Sequence, residues 1–176
     1  MAKILVTGGA GFSGSHIVEE LITRGHAVRG LDSLVEQVHG PAADRPAYLH
    51  PAAEFIRGDV RDLAILRRAL DGVEVVFHEA AEVGVGQSMY EVARYVGGNT
   101  YATAVLLEAL ANGKHNGGRL IAASSRSLYG EGATRCPQHS RIRPSLRPDG
   151  QHRLGEDRRD HRPGRHLCAI GSRRHP

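Results

Sequence analysis

The sequence predicts an α/β fold: a doubly wound parallel sheet over residues 1–135, followed by a tail of different character over residues 136–176. Short apolar runs alternate with stretches of helical periodicity, as they do in successive βαβ units. The first run, Ile4, Leu5 and Val6, is continuously apolar, which is typical of a strand covered on both faces. Spaced glycines then lead directly into a helical stretch. Together these observations predict parallel strands with helices on both faces of the sheet.

The other elements follow in order along the chain. Further strands are predicted over residues 26–31, 54–57, 73–78 and 120–124. Helices are predicted over residues 16–23 and over the stretch that carries Leu63, Ile65, Leu66 and Leu70. Right-handed crossovers then give a strand order that reverses beside the first strand, and a ligand crevice is expected at that point.

A longer helix is predicted over residues 89–111. Its expected buried stripe consists of Val92, Val96, Ala102, Val105, Leu106 and Leu110. Gly97 and Gly98 fall in the middle of this helix, and each should weaken it by about 1 kcal/mol relative to alanine.

The turn after the first strand has the pattern of a phosphate-binding loop. Gly8 suits a tight strand-to-helix turn, Gly11 lets the backbone approach a pyrophosphate, and Gly14 allows close packing of helix and strand. The free amides at the start of the helix, at Phe12 and Ser13, would then hold the phosphates together with the helix dipole. Because this glycine pattern lies between a strand and a helix, a Rossmann-type dinucleotide site is favoured over a plain turn.

Asp32 and Ser33 stand where the second strand ends, about 20 residues beyond the glycine turn. A carboxylate there can accept hydrogen bonds from both hydroxyls of an adenosine ribose, and it repels a 2′-phosphate, so NAD is favoured over NADP. Without the glycine turn, a solvated loop aspartate would be the better interpretation. Arg29, earlier on the same strand, is not expected to be a phosphate ligand.

Several motifs in the right order resemble those of the extended short-chain dehydrogenase/reductases, in particular the NAD-dependent nucleotide-sugar epimerases and dehydratases. The matching segments are TGGAGFSG at 7–14, GDVRD at 58–62, FHEAA at 77–81, VGVGQS at 83–88, Asn99-Thr100, and ASSRSLYG at 123–130. The resemblance covers residues 3–136. It implies NAD as the cofactor and a nucleotide sugar as the substrate.

The resemblance also assigns roles to individual residues. It places the Asp59 side chain and the Val60 backbone at the adenine, Ala80 and Ala81 along the cofactor, and Asn99 near the nicotinamide ribose. Ser125 takes the position of the catalytic serine of the family, although a strand-end serine that satisfies a backbone group is an equally good interpretation. Glu79 replaces a residue that is usually leucine, and a charge there is costly if it is buried.

The acid–base pair of the family is missing from this sequence. In such enzymes a tyrosine, with a lysine four residues later, exchanges a proton with the sugar, but no tyrosine follows Tyr129 and no lysine follows Lys114. The later strands and the sugar-binding region are missing as well, so we expect a truncated, catalytically incomplete fold. Arg126-Ser127 stands where sugar 4,6-dehydratases carry an Asp-Glu pair, which favours an epimerase ancestor.

The segment 136–176 differs sharply in composition. It holds ten arginines and four acidic residues, a net charge of +6, whereas the rest of the chain has thirteen basic and fifteen acidic residues, a net charge of −2. Its sparse apolar residues cannot offset the chain entropy, so we expect disorder. A sequence rich in Arg, His and Pro is typical of GC-rich coding DNA read out of frame. We hypothesise that the authentic protein ends near residue 136.

The tail offers two weaker alternatives. A metal site is not expected, because the spacing of Cys136, His139, His166 and Cys168 matches no common zinc pattern. A non-catalytic NAD-binding or interaction protein whose basic tail binds nucleic acid is the alternative function, but the tail has no aromatic residue for stacking, so nucleic acid is disfavoured.

Composition suggests the setting of the chain. Two cysteines give no disulfide framework, and no stretch is long and apolar enough for a membrane span, so a cytoplasmic location is expected. The usual dimer of the family is doubtful, because only the first of its two interface helices is present.

Overall fold

The computed structural model describes residues 1–41, 44–113 and 118–125. Within these ranges, five parallel strands form one sheet in the order β3-β2-β1-β4-β5. The strands are β1 (Lys3–Thr7), β2 (Ala27–Asp32), β3 (Glu54–Arg57), β4 (Val75–His78) and β5 (Arg119–Ala122). The predicted parallel Rossmann-type sheet is confirmed, and its order reverses beside β1.

The helices connect these strands across both faces of the sheet. They are α1 (Phe12–Thr23), α2 (Glu36–His39), α3 (Leu63–Leu70), α4 (Val85–Ser88), α5 (Val92–Tyr95) and α6 (Ala102–Asn112), with a π-helical segment Val96–Tyr101 between the last two. Since side chains alternate along a strand, Leu5 packs with α3 and α6 on one face, whereas Ile4 and Val6 pack with Val18 of α1 on the other. This alternation explains why β1 is apolar at every core position.

The predicted helix over residues 89–111 is wrong in its phase. The π-helical segment that contains Gly97 and Gly98 inserts an extra residue into the turn, so the buried face changes between α5 and α6. Val92 and Val96, predicted to be buried, are 58% and 52% exposed, and Tyr95 is buried instead. Beyond the π segment the prediction is confirmed at Ala102, Val105 and Leu106, which are buried.

Arg29 is buried and holds the end of α3. Its side chain is 7% exposed, and its Nη1 donates to the carbonyl oxygens of Arg68, Ala69 and Asp71 at the end of α3. Its Nε also lies 2.8 Å from Glu54 Oε2, in an ion pair without the geometry of a hydrogen bond. The guanidinium therefore satisfies carbonyls that the helix end leaves open.

Contacts along the chain define two units, Met1–Ala123 and Ser124–Pro176. Of the second unit the structure describes only Ser124 and Ser125. The predictions for the 136–176 tail, for its four metal-ligand candidates, and for Arg126-Ser127 and Tyr129 lie outside the described residues. Within the described ranges, no helix has the length and apolar character to cross a membrane.

Candidate nucleotide-binding crevice

The glycine turn lies over the carboxyl end of β1 and touches neighbouring strands. Gly8 has a φ of +67°, and a Cβ there would lie 2.7 Å from Ala80 N, in the segment after β4. A Cβ on Gly14 would overlap the carbonyl oxygen of Gly8, while Gly11 N donates to that same oxygen at 3.0 Å. Backbone atoms thus exclude side chains at Gly8 and Gly14.

Helix α1 begins immediately after this turn. Phe12 is 83% exposed and Ser13 is also exposed. The N–H groups of a first helical turn have no acceptor within the helix, and the helix dipole adds positive potential. This end of α1 therefore has the chemistry of an anion site.

Asp32 is held beside the glycine turn by main-chain amides. Its Oδ2 accepts from Ala10 N at 3.0 Å, and its Oδ1 accepts from Leu34 N at 2.9 Å. The side chain is 10% exposed. Two carboxylate oxygens offer about four lone-pair sites, so acceptor capacity remains for hydroxyl groups of a ligand. Ser33, which was predicted with Asp32, is exposed directly after β2.

Asp59 lies after β3, next along the sheet from Asp32, and is paired with Arg61. Its Oδ2 is 2.6 Å from Arg61 Nη2, and its Oδ1 accepts from the Arg61 amide at 2.8 Å. The Arg61 side-chain hydrogen bond is the main cause that holds the pKa of Asp59 below its usual range. The carboxylate is therefore ionised at neutral pH. Val60, the next residue, is 5% exposed.

On the other side of β1, a hollow of about 160 Å³ opens at the ends of β4 and β5. Its lining consists of His78, Glu79, Ala80, Ala81, Asn99, Thr103 and Ala123. The structure thus brings three of the predicted cofactor residues, Ala80, Ala81 and Asn99, to one place. Loss of solvation raises the pKa of Glu79, which disfavours its charged form. A larger hollow of about 280 Å³ lies between the ends of α3 and α6 and contains none of the predicted residues.

The hydrogen bonds of His78 fix its tautomer. Thr103 Oγ1 donates to the Asn99 carbonyl at 2.7 Å, so it must accept from His78 Nε2, which lies 3.0 Å away. His78 Nδ1 then accepts from Thr7 Oγ1 at 2.7 Å. Burial lowers the pKa of His78, so the ring is neutral at neutral pH, and its two hydrogen bonds hold it in the wall of the hollow.

Asn99 is fixed by the π-helical segment in which it lies. Its Oδ1 accepts from Glu82 N at 2.7 Å, and its Nδ2 donates to Glu82 O at 3.1 Å. Both polar atoms of the amide are therefore used to hold the chain after β4. π-Helical turns often occur at functional sites, and here the turn orients a side chain to which the family resemblance assigns a cofactor role.

Ser125 belongs to the second unit, where it is exposed. Its catalytic role remains a prediction. Sequence reasoning also missed Arg61, His39 and Tyr48. Arg61 was visible inside the GDVRD motif, whereas no local signal marked the other two.

A parallel sheet with a glycine turn at its point of reversal, and with a carboxylate at the end of the neighbouring strand, defines a Rossmann-type dinucleotide-binding domain. The sequence profile of the NAD dependent epimerase/dehydratase family matches residues 4–151. The chain belongs to this family.

Individual relatives give the same result. The chain is 37% identical over 151 residues to a dTDP-L-rhamnose 4-epimerase from Burkholderia thailandensis, a match that covers 85% of this chain and 41% of that protein. It resembles the crystal structure of UDP-glucose 4-epimerase from Bifidobacterium longum in complex with NAD+ and UDP, with a TM-score of 0.57 and 34% identity over 73% of this chain and 38% of that one. The Brucella ovis UDP-glucose 4-epimerase in complex with NAD has a TM-score of 0.62 at 29% identity and covers 74% of this chain and 38% of its own. The chain thus spans about two fifths of the length of these relatives.

Proposed function

We propose that this chain is the NAD-binding part of a nucleotide-sugar epimerase-like oxidoreductase. One observation carries the proposal: Asp32 Oδ2 accepts a hydrogen bond from Ala10 N, inside the glycine turn, at 3.0 Å. Asp32, which is suited to bind a ribose, therefore contacts the residue next to Gly11, where the main chain is suited to bind a pyrophosphate. A single adenosine diphosphate group can engage both.

The residues fit NAD better than NADP. The Cβ positions of Gly8 and Gly14 are closed by backbone atoms, so at these two positions the turn can present only main chain to a phosphate. Asp32 is 10% exposed, and a 2′-phosphate placed against this poorly solvated carboxylate would be repelled. Phe12 and Ser13 would supply phosphate-binding amides, Ser33 would border the ribose, and Asp59 with Val60 would meet the adenine.

The hollow at Ala80, Ala81 and Asn99 is the proposed place of the nicotinamide ribose. Bound NAD supplies a hydride acceptor and donor. The residues of this chain orient it: His78 stays neutral below the hollow, and Asn99 fixes the segment after β4. Ser125 is the proposed sugar-binding hydroxyl by resemblance alone.

Turnover is expected to be absent. No Tyr-x-x-x-Lys pair follows Ser125 in the sequence, and positioned acid–base catalysis contributes about 10²–10⁴-fold to such reactions. A nucleotide sugar remains the proposed substrate class. The few cysteines support a cytoplasmic setting.

Calorimetric titration of the full chain with NAD and NADP tests the proposed binding. We expect NAD to bind, NADP to bind more weakly, and Asp32→Ala to reduce the preference between them. Gly14→Ala should weaken NAD binding, because the new Cβ would overlap the Gly8 carbonyl oxygen. Gly25→Ala is the glycine control and should keep the affinity, since nothing lies within 4 Å of its Cβ position. Undetectable binding at millimolar NAD, or equal affinity for both dinucleotides, would refute the proposal.

A separate assay addresses the missing catalytic pair. The NAD-loaded chain is incubated with UDP-glucose or dTDP-L-rhamnose, and the products are separated by chromatography. We expect no epimerised sugar above the level of a protein-free control. Conversion at an enzymatic rate would show that the chain has an acid–base group that its sequence does not reveal.

A further inference from the structure

His39 is a buried titratable side chain that the proposed site does not use. Its side chain is 7% exposed, although it belongs to the short helix α2 on the surface of the domain. Its Nε2 lies 3.8 Å from Asp32 Oδ1, within the distance of an ion pair when the ring is protonated but beyond that of a hydrogen bond. The ring therefore covers one flank of the carboxylate and shields it from water.

Tyr48 joins the same cluster from the loop that precedes β3. Its hydroxyl donates to the Ala10 carbonyl at 2.5 Å, and His39 Nδ1 lies 3.4 Å from the same hydroxyl. Since the only phenolic proton is used toward Ala10, Tyr48 can only accept from His39. Partial burial and the negative charge of Asp32 both raise the pKa of Tyr48, so the phenol keeps this proton at neutral pH.

These contacts close a ring of interactions around Ala10. Its N–H donates to Asp32, its carbonyl accepts from Tyr48, and His39 lies between the two side chains. Both polar groups of one residue in the glycine turn are thus held by side chains from two other segments. His39 thus lies next to the carboxylate and, through Tyr48, is linked to the turn.

We propose that His39 and Tyr48 are positioning residues for ribose recognition, which hold Asp32 and the glycine turn at the spacing that an adenosine diphosphate requires. The inference rests on the proposed NAD site. Neither side chain needs to touch the ligand. Preorganised groups bind more tightly because less ordering remains to be done on binding, so loss of the cluster should weaken recognition of the ribose hydroxyls.

The experiment compares the affinity of the full chain for ADP with its affinity for 2′-deoxy-ADP by calorimetry. The ratio of the two dissociation constants isolates the contribution of the 2′-hydroxyl, from which Asp32 would accept a hydrogen bond. A hydrogen bond to a charged group corresponds to about a tenfold ratio or more. We expect that ratio in the unmodified chain, a fall below about threefold in His39→Leu, and an intermediate value in Tyr48→Phe.

The controls separate the possible failures. His26→Leu is the matched control for His39→Leu. His26 precedes the first residue of β2, whereas Asp32 is the last, so this variant should leave the ratio unchanged. If the unmodified chain shows no preference for ADP, the ribose role of Asp32 fails and the inference fails with it. A preference that persists unchanged in His39→Leu overturns the inference alone. If His39→Leu does not fold, Tyr48→Phe decides, since Tyr48 is 63% exposed and the substitution removes only its hydroxyl.

Discussion

Replacing Gly8 with alanine should destabilise the domain more than the same change at Gly25. Both glycines have positive φ, +67° at Gly8 and +82° at Gly25, so alanine is strained at either position. The left-handed conformation costs an L-residue about 1–2 kcal/mol. This strain is the whole expected loss in Gly25→Ala, because nothing lies within 4 Å of the Cβ position there.

At Gly8 a second cost is added. The new Cβ would lie 2.7 Å from Ala80 N and 2.9 Å from Ala80 Cα, and these backbone atoms cannot rotate away. The turn and the end of β4 must separate, and such overpacking typically costs about 1–3 kcal/mol more. The total expected for Gly8→Ala is therefore about 2–5 kcal/mol.

Urea unfolding followed by circular dichroism measures both variants, since the chain has no tryptophan for fluorescence. NAD titration adds a second readout: the affinity should fall in Gly8→Ala and stay unchanged in Gly25→Ala. Equal losses of stability in the two variants would refute the close approach of the glycine turn to β4. Full NAD affinity in Gly8→Ala would refute the role of that turn in binding.

Three further predictions concern stability. Burial lowers the pKa of His78, so below about pH 6.5 the unfolded chain binds more protons than the folded one. Stability should be fully present above that pH and fall as the pH is lowered, and the fall in urea midpoint between pH 7 and pH 5 should be smaller in His78→Gln. The free energy of unfolding should fall by about 3 kcal/mol in Arg29→Met, because three carbonyls at the end of α3 lose the hydrogen bond from the Arg29 guanidinium. Arg24→Met is the control, because Arg24 forms an exposed ion pair with Glu20, and its free energy of unfolding should fall by about 0.5 kcal/mol or less. Similar losses of stability in the two variants would contradict the argument from burial. Asp62→Ala should lose about 1 kcal/mol by urea unfolding, since the Asp62 side chain caps the first amides of α3, and no loss would show that the cap is unimportant.

The sheet and the centre of the crevice could be predicted because their signals are local. Ile4, Leu5 and Val6 are apolar together only because β1 is covered on both faces, and the glycines follow within a few residues. Parallel strands bring their carboxyl ends to one edge of the sheet, so Asp32 at the end of β2 had to lie near that turn. Strand order then followed from the handedness of crossovers.

Two features could not be predicted from local signals. A π-helical turn leaves the composition of a helix unchanged but shifts its buried face, so one helical period cannot describe both Val92 and Val105. The contact of Tyr48 with Ala10 spans 38 residues and depends on how an irregular loop folds back. No spacing of residues in the sequence indicates that this loop folds back onto the glycine turn.

The carboxylates around the crevice were alike in the sequence and differ in the structure. Asp32 accepts two main-chain amides, and the Arg61 guanidinium lowers the pKa of Asp59, so the side of β1 that faces β2 and β3 presents acceptors for hydroxyl and amino groups. Loss of solvation instead raises the pKa of Glu79, on the side that faces β4 and β5. This difference favours one orientation of the proposed NAD. In that orientation the adenosine would lie over β2, and the less charged hollow would hold the other half of the dinucleotide.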